Sequence, residues 1–206
     1  MKKSPRLKDP LNIILAGVGG QGNVMASRVL ANMLSIKGHK ITIGETFGMS
    51  QRGGSVMSHI RVSGATTWSP QIPKGKADIL IALEPIEALR VMRIYGNPDV
   101  KVLVNTRPIH PVGVIAGDFD YPSLETIQKA LSTLTPNVWM LDATDEAMKL
   151  GNPILSNIIM IGAVVGLSLL PIGLVEFKAA IRNFFPEKLL RINQEAFEIG
   201  RNKVVQ

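Results

Sequence analysis

The sequence predicts an α/β protein of the Rossmann-like class, in which a mainly parallel sheet carries helices on both faces and a helical C-terminal segment follows. Two patterns predict this class. Short apolar runs alternate with segments of helical periodicity, and the first run ends in a glycine-rich turn that leads into a helix. We expect one domain over residues 1–206, with a basic tail at 1–11 and a helical part at 145–206.

The first half of the chain contains four strand patterns and two helix patterns. The predicted strands are residues 12–16, 41–45, 56–62 and 78–83. Apolar and polar residues alternate in 56–62, which is typical of a strand at the margin of a sheet. Helices are predicted at 21–37, where Gly38 follows the last apolar residue, and at 85–95, where Pro85 occupies the first turn.

The second half begins with another strand and becomes helical. Strands are predicted at 101–105 and 138–142, and a segment rich in proline and glycine predicts a loop at 106–122. Ser123 is a suitable cap for a helix that ends near residue 134. The remaining predicted helices are 145–150, 154–170, 174–185 and 186–200.

An uncharged segment at 150–175 raises the question of a membrane span. Pro153 and Pro171 bracket only residues 154–170, whereas a spanning helix needs about 20 apolar residues. We therefore expect a buried helix, in which Gly162 and Gly166 allow close approach of another helix. The expected location is the cytoplasm, with no membrane partner.

Composition excludes several kinds of chemistry. The chain has no cysteine, so it forms no disulfide and ligates no iron–sulfur cluster by thiolates. Its net charge of +7 suits an anionic partner. Nucleic acid is not expected, because aromatic residues make up 5% and do not interleave with a basic stripe. No grouping of histidine, aspartate and glutamate has metal-ligand spacing, so no metal site is expected.

The turn "GVGGQG" carries the first candidate site. Its glycines are spaced as GxGxxG between a strand and a helix, an arrangement that places backbone N–H groups against an anion. The candidate binding residues are Gly17, Gly19, Gly20, Gln21 and Gly22. Glu45 ends the second strand, near the position of a ribose-binding acid, so a dinucleotide is one interpretation. The other is a simple turn or an anion site that serves a different ligand.

A second glycine-rich loop, "GMSQRGGSV", follows the second strand. It should lie beside the first loop, since both leave the carboxyl ends of strands, where ligands of open α/β sheets bind. Its presence there would crowd out an ordinary dinucleotide. The candidate substrate or interface residues are Gly48, Met49, Ser50, Gln51, Arg52, Gly53, Gly54 and Ser55.

Four segments together resemble a known family. They read "GVGGQGNVMASRVL", "GETFGMSQRGGSVMSHIRV", "ADILIALEPIEALR" and "VNTRPIHP", and they are similar to gamma subunits of the 2-oxoacid:ferredoxin oxidoreductases. The resemblance runs from about residue 12 to residue 201. The pairing of the glycine loop with "GMSQRGGSV" favours the smaller subunit of the indolepyruvate branch.

The resemblance implies a chain that works only within a complex. The family decarboxylates a 2-oxoacid oxidatively with thiamine diphosphate and Mg²⁺, passes electrons through [4Fe–4S] clusters to ferredoxin, and forms an acyl-CoA. These cofactors are expected on the large subunit, with coenzyme A as co-substrate, and none is expected to be held by this chain alone. The chain is then inactive by itself and carries no catalytic residue. Whether the isolated chain forms a homodimer stays open.

The resemblance gives Arg52 two interpretations. A guanidinium between glycines can make bidentate bonds to a carboxylate or a phosphate. Residues 48–55 would then hold the substrate carboxylate or a phosphate of coenzyme A beside the thiamine site of the partner. Alternatively the loop is structural, and Arg52 binds acidic residues of the partner or nearby carbonyl groups. Either interpretation places the loop at the interface.

Other polar residues are weaker candidates. A surface or interface position is expected for His59, and His39 and His110 have no evident chemical role. Three residues at the end of the fifth predicted strand extend the candidate surface: Asn105, Thr106 and Arg107. Glu84 and Asp142 also follow strands and are expected to cap helices. Two further functions were weighed: a stand-alone NAD- or flavin-dependent oxidoreductase, for which Glu45 would be essential, and a scaffold without any ligand.

Overall fold

The computed structural model describes residues 7–48, 54–118 and 120–204. Within them, six strands form one sheet in the order β2-β3-β1-β4-β5-β6. The strands are β1 (Leu11–Val18), β2 (Lys40–Phe47), β3 (Ser55–Ser63), β4 (Ile79–Ala82), β5 (Lys101–Asn105) and β6 (Val138–Leu141).

The sheet is mainly parallel, but its second and third strands form an antiparallel hairpin. β1, β4, β5 and β6 run parallel, while β3 is antiparallel to both β1 and β2. The predicted marginal position of the strand at 56–62 is therefore wrong. The hairpin folds β3 back against β1, so β3 lies inside the sheet and β2 forms the edge. The alternating polar residues of β3 are buried, including Ser58 and Arg61.

Helices cover both faces of this sheet. They are α1 (Asn23–Ile36), α2 (Pro85–Tyr95), α3 (Val112–Ala116), α4 (Leu124–Leu134), α5 (Ala143–Lys149), α6 (Ser156–Gly166), α7 (Leu174–Ile181) and α8 (Glu187–Lys203), with a 3₁₀ turn at Pro153–Leu155. Side chains of β1 alternate between two cores. Ile13 and Leu15 pack with the layer of α1 and α5 to α8, and Ile14 and Ala16 pack with α2 and α4.

The predicted helix starts are confirmed where a cap was recognised. The Ser123 hydroxyl accepts the N–H of Thr126, and the carboxylate of Asp142 accepts the N–H of Asp145. Several helix boundaries shift by a few residues, as where α7 ends at Ile181 instead of residue 185, and two segments differ in kind from the prediction. The loop at 106–122 contains the short helix α3, and the helix expected over 154–170 is a 3₁₀ turn followed by α6, which ends at Gly166. Ser168 just beyond it has a φ of 55°, which a continuing helix does not allow.

The close helix contact predicted for Gly162 and Gly166 is present, and its partner is α8. A Cβ atom on Gly162 would overlap the carbonyl oxygen of Phe197, and one on Gly166 would overlap the carbonyl oxygen of Arg201. Gly200 of α8 makes the reciprocal contact with the carbonyl oxygen of Ile159. The helix backbones therefore touch without intervening side chains. Across the described part of the chain, we find no helix with the length and apolarity that crossing a membrane requires.

Candidate functional site

The first glycine loop joins β1 to α1 and is braced from within. Gly20 and Gly22 adopt φ values of 101° and 76°, which side-chain-bearing residues rarely adopt. Gln21 closes the loop, because its Oε1 accepts the N–H of Val18 at 2.8 Å and its Nε2 donates to the carbonyl of Leu83 at 2.7 Å. Gln21 was predicted as a binding residue; here its side chain fixes the loop to the end of β4.

The second glycine loop lies beside the first, as the sequence predicts. The N–H of Gly19 donates to the carbonyl of Gly54 at 2.9 Å, and the N–H of Gly48 donates to the carbonyl of Ser55 at 2.7 Å. Both ends of the second loop are thus fixed at the carboxyl edge of the sheet. Met49, Ser50, Gln51, Arg52 and Gly53 lie outside the described residues, so their roles stay predictions.

The hairpin changes what the GxGxxG spacing can bind. Because β3 separates β1 from β2, Glu45 lies about 10 Å from β1, two strand spacings away. Among the described residues it pairs with Arg28, at 3.9 Å between Nη2 and Oε1. The N–H of Gly19 donates to the carbonyl of Gly54, so it is not free to bind a phosphate. This geometry weighs against the dinucleotide interpretation and favours a loop that supports its neighbour.

Asn157 completes the first loop and was missed by the sequence reasoning. Its Nδ2 donates to the carbonyls of Gln21 and Gly22, at 3.2 and 3.4 Å. A Cβ atom on Gly22 would overlap this amide. The third glycine of the motif therefore allows α6, as well as α1, to pack close to the loop. The only signal was an asparagine in an apolar run, which a buried polar contact explains.

A cleft of about 900 Å³ opens next to the first glycine loop. Gly19, Gly20 and Gln21 form one wall, and the segment after β5 with the start of α5 forms the others. Arg107 lies on the cleft, with its Nη1 4.0 Å from Oδ1 of Asp145, and both side chains are exposed. Such an exposed pair is weak, which leaves the guanidinium available to an anion. Asn105 is buried instead, where its amide holds Thr144 and the carbonyl of Leu83.

A network of buried carboxylates lies beside Ser55 at the start of α2, and of this network the sequence predicts only the capping role of Glu84. Glu84 caps α2 by accepting the N–H of Glu87, and it also accepts the hydroxyl of Tyr121. Burial raises the pKa of Tyr121, and the carboxylate of Glu84 raises it further. Burial likewise raises the pKa of Glu87, against the lowering effect of its bonds to Ser55 and Arg90. The network connects the starts of β3 and α2 to the segment after β5.

Two of the histidines, His59 and His110, pack against tyrosine rings. His59 was predicted at a surface or an interface, but it is buried and packs edge-to-face on Tyr95 with 5.2 Å between ring centroids. Burial lowers its pKa, so the neutral imidazole is favoured. His110 packs against Tyr121. Residues 7–48, 54–118 and 120–204 contain no group of three histidine, aspartate or glutamate residues that could hold a metal.

Comparisons with known proteins agree with this architecture. The family described as pyruvate ferredoxin/flavodoxin oxidoreductase matches residues 12–203. The chain is 38% identical to indolepyruvate oxidoreductase subunit IorB of Archaeoglobus fulgidus, over 95% of this chain and 96% of that protein. It is 37% identical to subunit IorB of Thermococcus kodakarensis, over 92% of this chain and 93% of that protein.

A solved structure shows the same fold inside a longer polypeptide. It is 2-oxoglutarate:ferredoxin oxidoreductase from Magnetococcus marinus with 2-oxoglutarate, coenzyme A and succinyl-CoA bound, at a TM-score of 0.71 and 20% identity. The match covers 96% of this chain but 31% of that one. Given the match to the family over residues 12–203 and the identity to two IorB subunits, the chain belongs to the pyruvate ferredoxin/flavodoxin oxidoreductase family.

Proposed function

We propose that the chain is the smaller subunit of a thiamine diphosphate-dependent indolepyruvate:ferredoxin oxidoreductase, and that it completes the active site at the interface with the large subunit. The observation that carries this proposal is the identity of 37–38% to IorB subunits over nearly the whole of both chains. The junction of the two glycine loops supports it, because the "GMSQRGGSV" loop begins and ends at the carboxyl edge beside the cleft.

The redox cofactors belong to the partner in this proposal. Without cysteine the chain offers no thiolate for a [4Fe–4S] cluster. The loop N–H of Gly19 is taken up internally, so the first glycine loop fits a cofactor diphosphate poorly. The residues of this chain therefore bind and orient, whereas the large subunit decarboxylates the 2-oxoacid and transfers electrons to ferredoxin. Coenzyme A is the co-substrate in this proposal. Either its phosphates or the end that accepts the acyl group would approach the interface.

An apolar rim at the same edge supports the presence of a protein partner there. Val112 and Ile115 of α3 are 82% and 74% exposed, and Ile109, Met148 and Ile154 line the cleft with partly exposed side chains. We call these five residues the apolar rim. Exposed apolar clusters of this kind mark interaction surfaces. In the Magnetococcus marinus protein, the matching fold is 31% of a longer chain, so it has a protein neighbour within the same polypeptide.

The experiment for this proposal is reconstitution. The purified chain is mixed with its cognate large subunit, and ferredoxin-dependent oxidation of indolepyruvate with coenzyme A is assayed, with each subunit alone as control. We expect activity only in the mixture. Activity of the isolated chain, or tight NAD binding by it, would contradict the proposal and favour a stand-alone dinucleotide enzyme. A mixture that assembles and stays inactive with indolepyruvate but oxidises another 2-oxoacid would correct the substrate alone.

A paired substitution tests the apolar rim. Val112→Asp with Ile115→Asp should weaken association with the large subunit by about 100-fold, because each burial of a large apolar side chain contributes roughly 1.5–3 kcal/mol and the charge opposes it. Analytical ultracentrifugation of the mixture measures this. The matched control is Val175→Asp on α7, since Val175 is 77% exposed and α7 begins beside Lys37, at the opposite end of α1 from the glycine loop. Equal effects of the two changes would exclude a docking role for the rim.

A further inference from the structure

Ser55 is the point at which the two glycine loops and α2 meet. Its carbonyl accepts the N–H of Gly48 at 2.7 Å, and the preceding carbonyl, of Gly54, accepts the N–H of Gly19 at 2.9 Å. Its side-chain Oγ donates to Oε2 of Glu87 at 2.5 Å. The Gly19–Gly54 bond therefore joins the two loops and the Gly48–Ser55 bond closes the second one, while the side-chain bond of Ser55 joins this junction to α2.

Glu87 is held rigidly on its own side of this contact. Its side chain is 3% exposed and lies in the first turn of α2, where its backbone N–H donates to Glu84. Its second oxygen, Oε1, accepts from Nη1 of Arg90 at 2.8 Å, one turn further along the helix. Both carboxylate oxygens of Glu87 thus accept a hydrogen bond, and the bond to Arg90 fixes the orientation in which Oε2 accepts from Ser55.

Glu84 extends the same network to the other wall of the site. It accepts the hydroxyl of Tyr121, and its position one turn before Glu87 fixes the start of α2. Tyr121 in turn packs against His110, next to the apolar rim. The start of α2 therefore fixes the position of the glycine-loop junction relative to the segment after β5. These parts are far apart in sequence.

We propose that Glu87 is a positioning residue of this enzyme: through Ser55, it fixes the junction of the two glycine loops in the geometry that binds substrate in the assembled complex. This inference rests on the proposed function, because it assigns the junction a role in substrate binding. Burial of this carboxylate is costly, and the bonds that offset the cost are those to Arg90 at 2.8 Å and to the loop hydroxyl of Ser55 at 2.5 Å. Preorganised supports of this kind determine how tightly a substrate is bound without touching it.

The test uses kinetics of the reconstituted complex. Ser55→Ala and Glu87→Ala should each raise the KM for indolepyruvate or for coenzyme A about tenfold, because each change removes a hydrogen bond between a hydroxyl and a charged group. The value of kcat and the affinity for the large subunit should stay within about twofold. The double variant should be no worse than Glu87→Ala, because both changes break one contact. Glu87→Gln should have a KM close to that of the wild-type complex, since its amide oxygen still accepts from Ser55.

The matched control is Glu176→Gln. Glu176 is also a buried carboxylate, bonded to Lys37 at 2.9 Å and to the N–H of Gly173 at 2.8 Å, at the far end of the sheet. It should lower the Tm without changing either KM. Two results would overturn the proposal: a fall in Tm with unchanged KM in Ser55→Ala, or additive effects in the double variant. An inactive wild-type mixture would instead reject the proposed function, before any variant is compared.

Discussion

Replacing Gly162 or Gly200 by alanine should destabilise the fold by about 3 kcal/mol or more, among the largest effects of a single methyl group in this chain. Each glycine lies where α6 and α8 touch backbone to backbone, and an added Cβ would overlap a carbonyl oxygen of the opposite helix. Backbone cannot rotate away as a side chain can, so the helices must separate. Urea unfolding followed by circular dichroism gives the change in the free energy of unfolding.

Gly64→Ala provides the control for this prediction. The nearest atom to a Cβ on Gly64 is Oδ2 of Asp9 at 3.8 Å, and its backbone does not lie in the left-handed region. Its substitution should therefore change the free energy of unfolding by no more than about 0.5 kcal/mol. A Gly162→Ala variant as stable as Gly64→Ala would show that α6 and α8 pack less closely than described.

Arg52→Ala should reduce kcat/KM of the reconstituted complex about 10- to 100-fold while the subunits stay associated. The reason is that a guanidinium bonded to a carboxylate or phosphate contributes roughly 1.5–3 kcal/mol, and 1.36 kcal/mol corresponds to a factor of ten. The loop that carries Arg52 begins and ends at the carboxyl edge of the sheet, where the carbonyl of Gly54 accepts the N–H of Gly19, a residue that lines the cleft. Steady-state kinetics with indolepyruvate and with coenzyme A varied in turn would show which anion it binds.

The matched control for Arg52 is Arg182→Ala, because Arg182 is exposed at the end of α7 and does not line the cleft. It should leave both kinetic constants and association unchanged. If Arg52→Ala abolishes association instead, the alternative holds: the arginine then binds acidic residues of the partner. Arg52→Lys distinguishes bidentate bonding from charge alone, since lysine keeps the charge and loses the planar fork.

Apolar runs predicted the sheet well because burial dominates strand choice. The strand at 78–83 was predicted from an uninterrupted apolar run and the strand at 101–105 from a short apolar run, and they are observed as β4 and β5. The strand at 56–62 was recognised but misplaced, because its polar side chains suggested solvent. They are buried inside the protein instead, and Arg61 finds partners there, since its Nε donates to Oδ1 of Asn12 and its Nη1 to the carbonyl of Ser69. Local sequence cannot show which distant group satisfies a polar residue.

The sequence predicted where the candidate site lies, but not the contacts that build it. Glycine spacing located both loops, since left-handed turns and close backbone approach leave a clear signal. No sequence signal predicted the hairpin that moves Glu45 away from the first loop. Strand order depends on contacts between segments that are distant in sequence. The same holds for Asn157 and for the bond between Ser55 and Glu87, which join residues 136 and 32 positions apart in sequence. Capping alone was foreseen for Glu84.

The backbone contact between α6 and α8 also has a consequence for synthesis on the ribosome. Every residue from 156 to 164 is buried in the folded protein, and this segment is translated before the helix that covers it. Until α8 has left the exit tunnel, the face of α6 that α8 covers stays exposed and is open to chaperones or to other nascent chains. Synthesis of α8 therefore completes the burial of this segment, and slow translation between Pro171 and Pro186 would prolong the period in which that face is exposed.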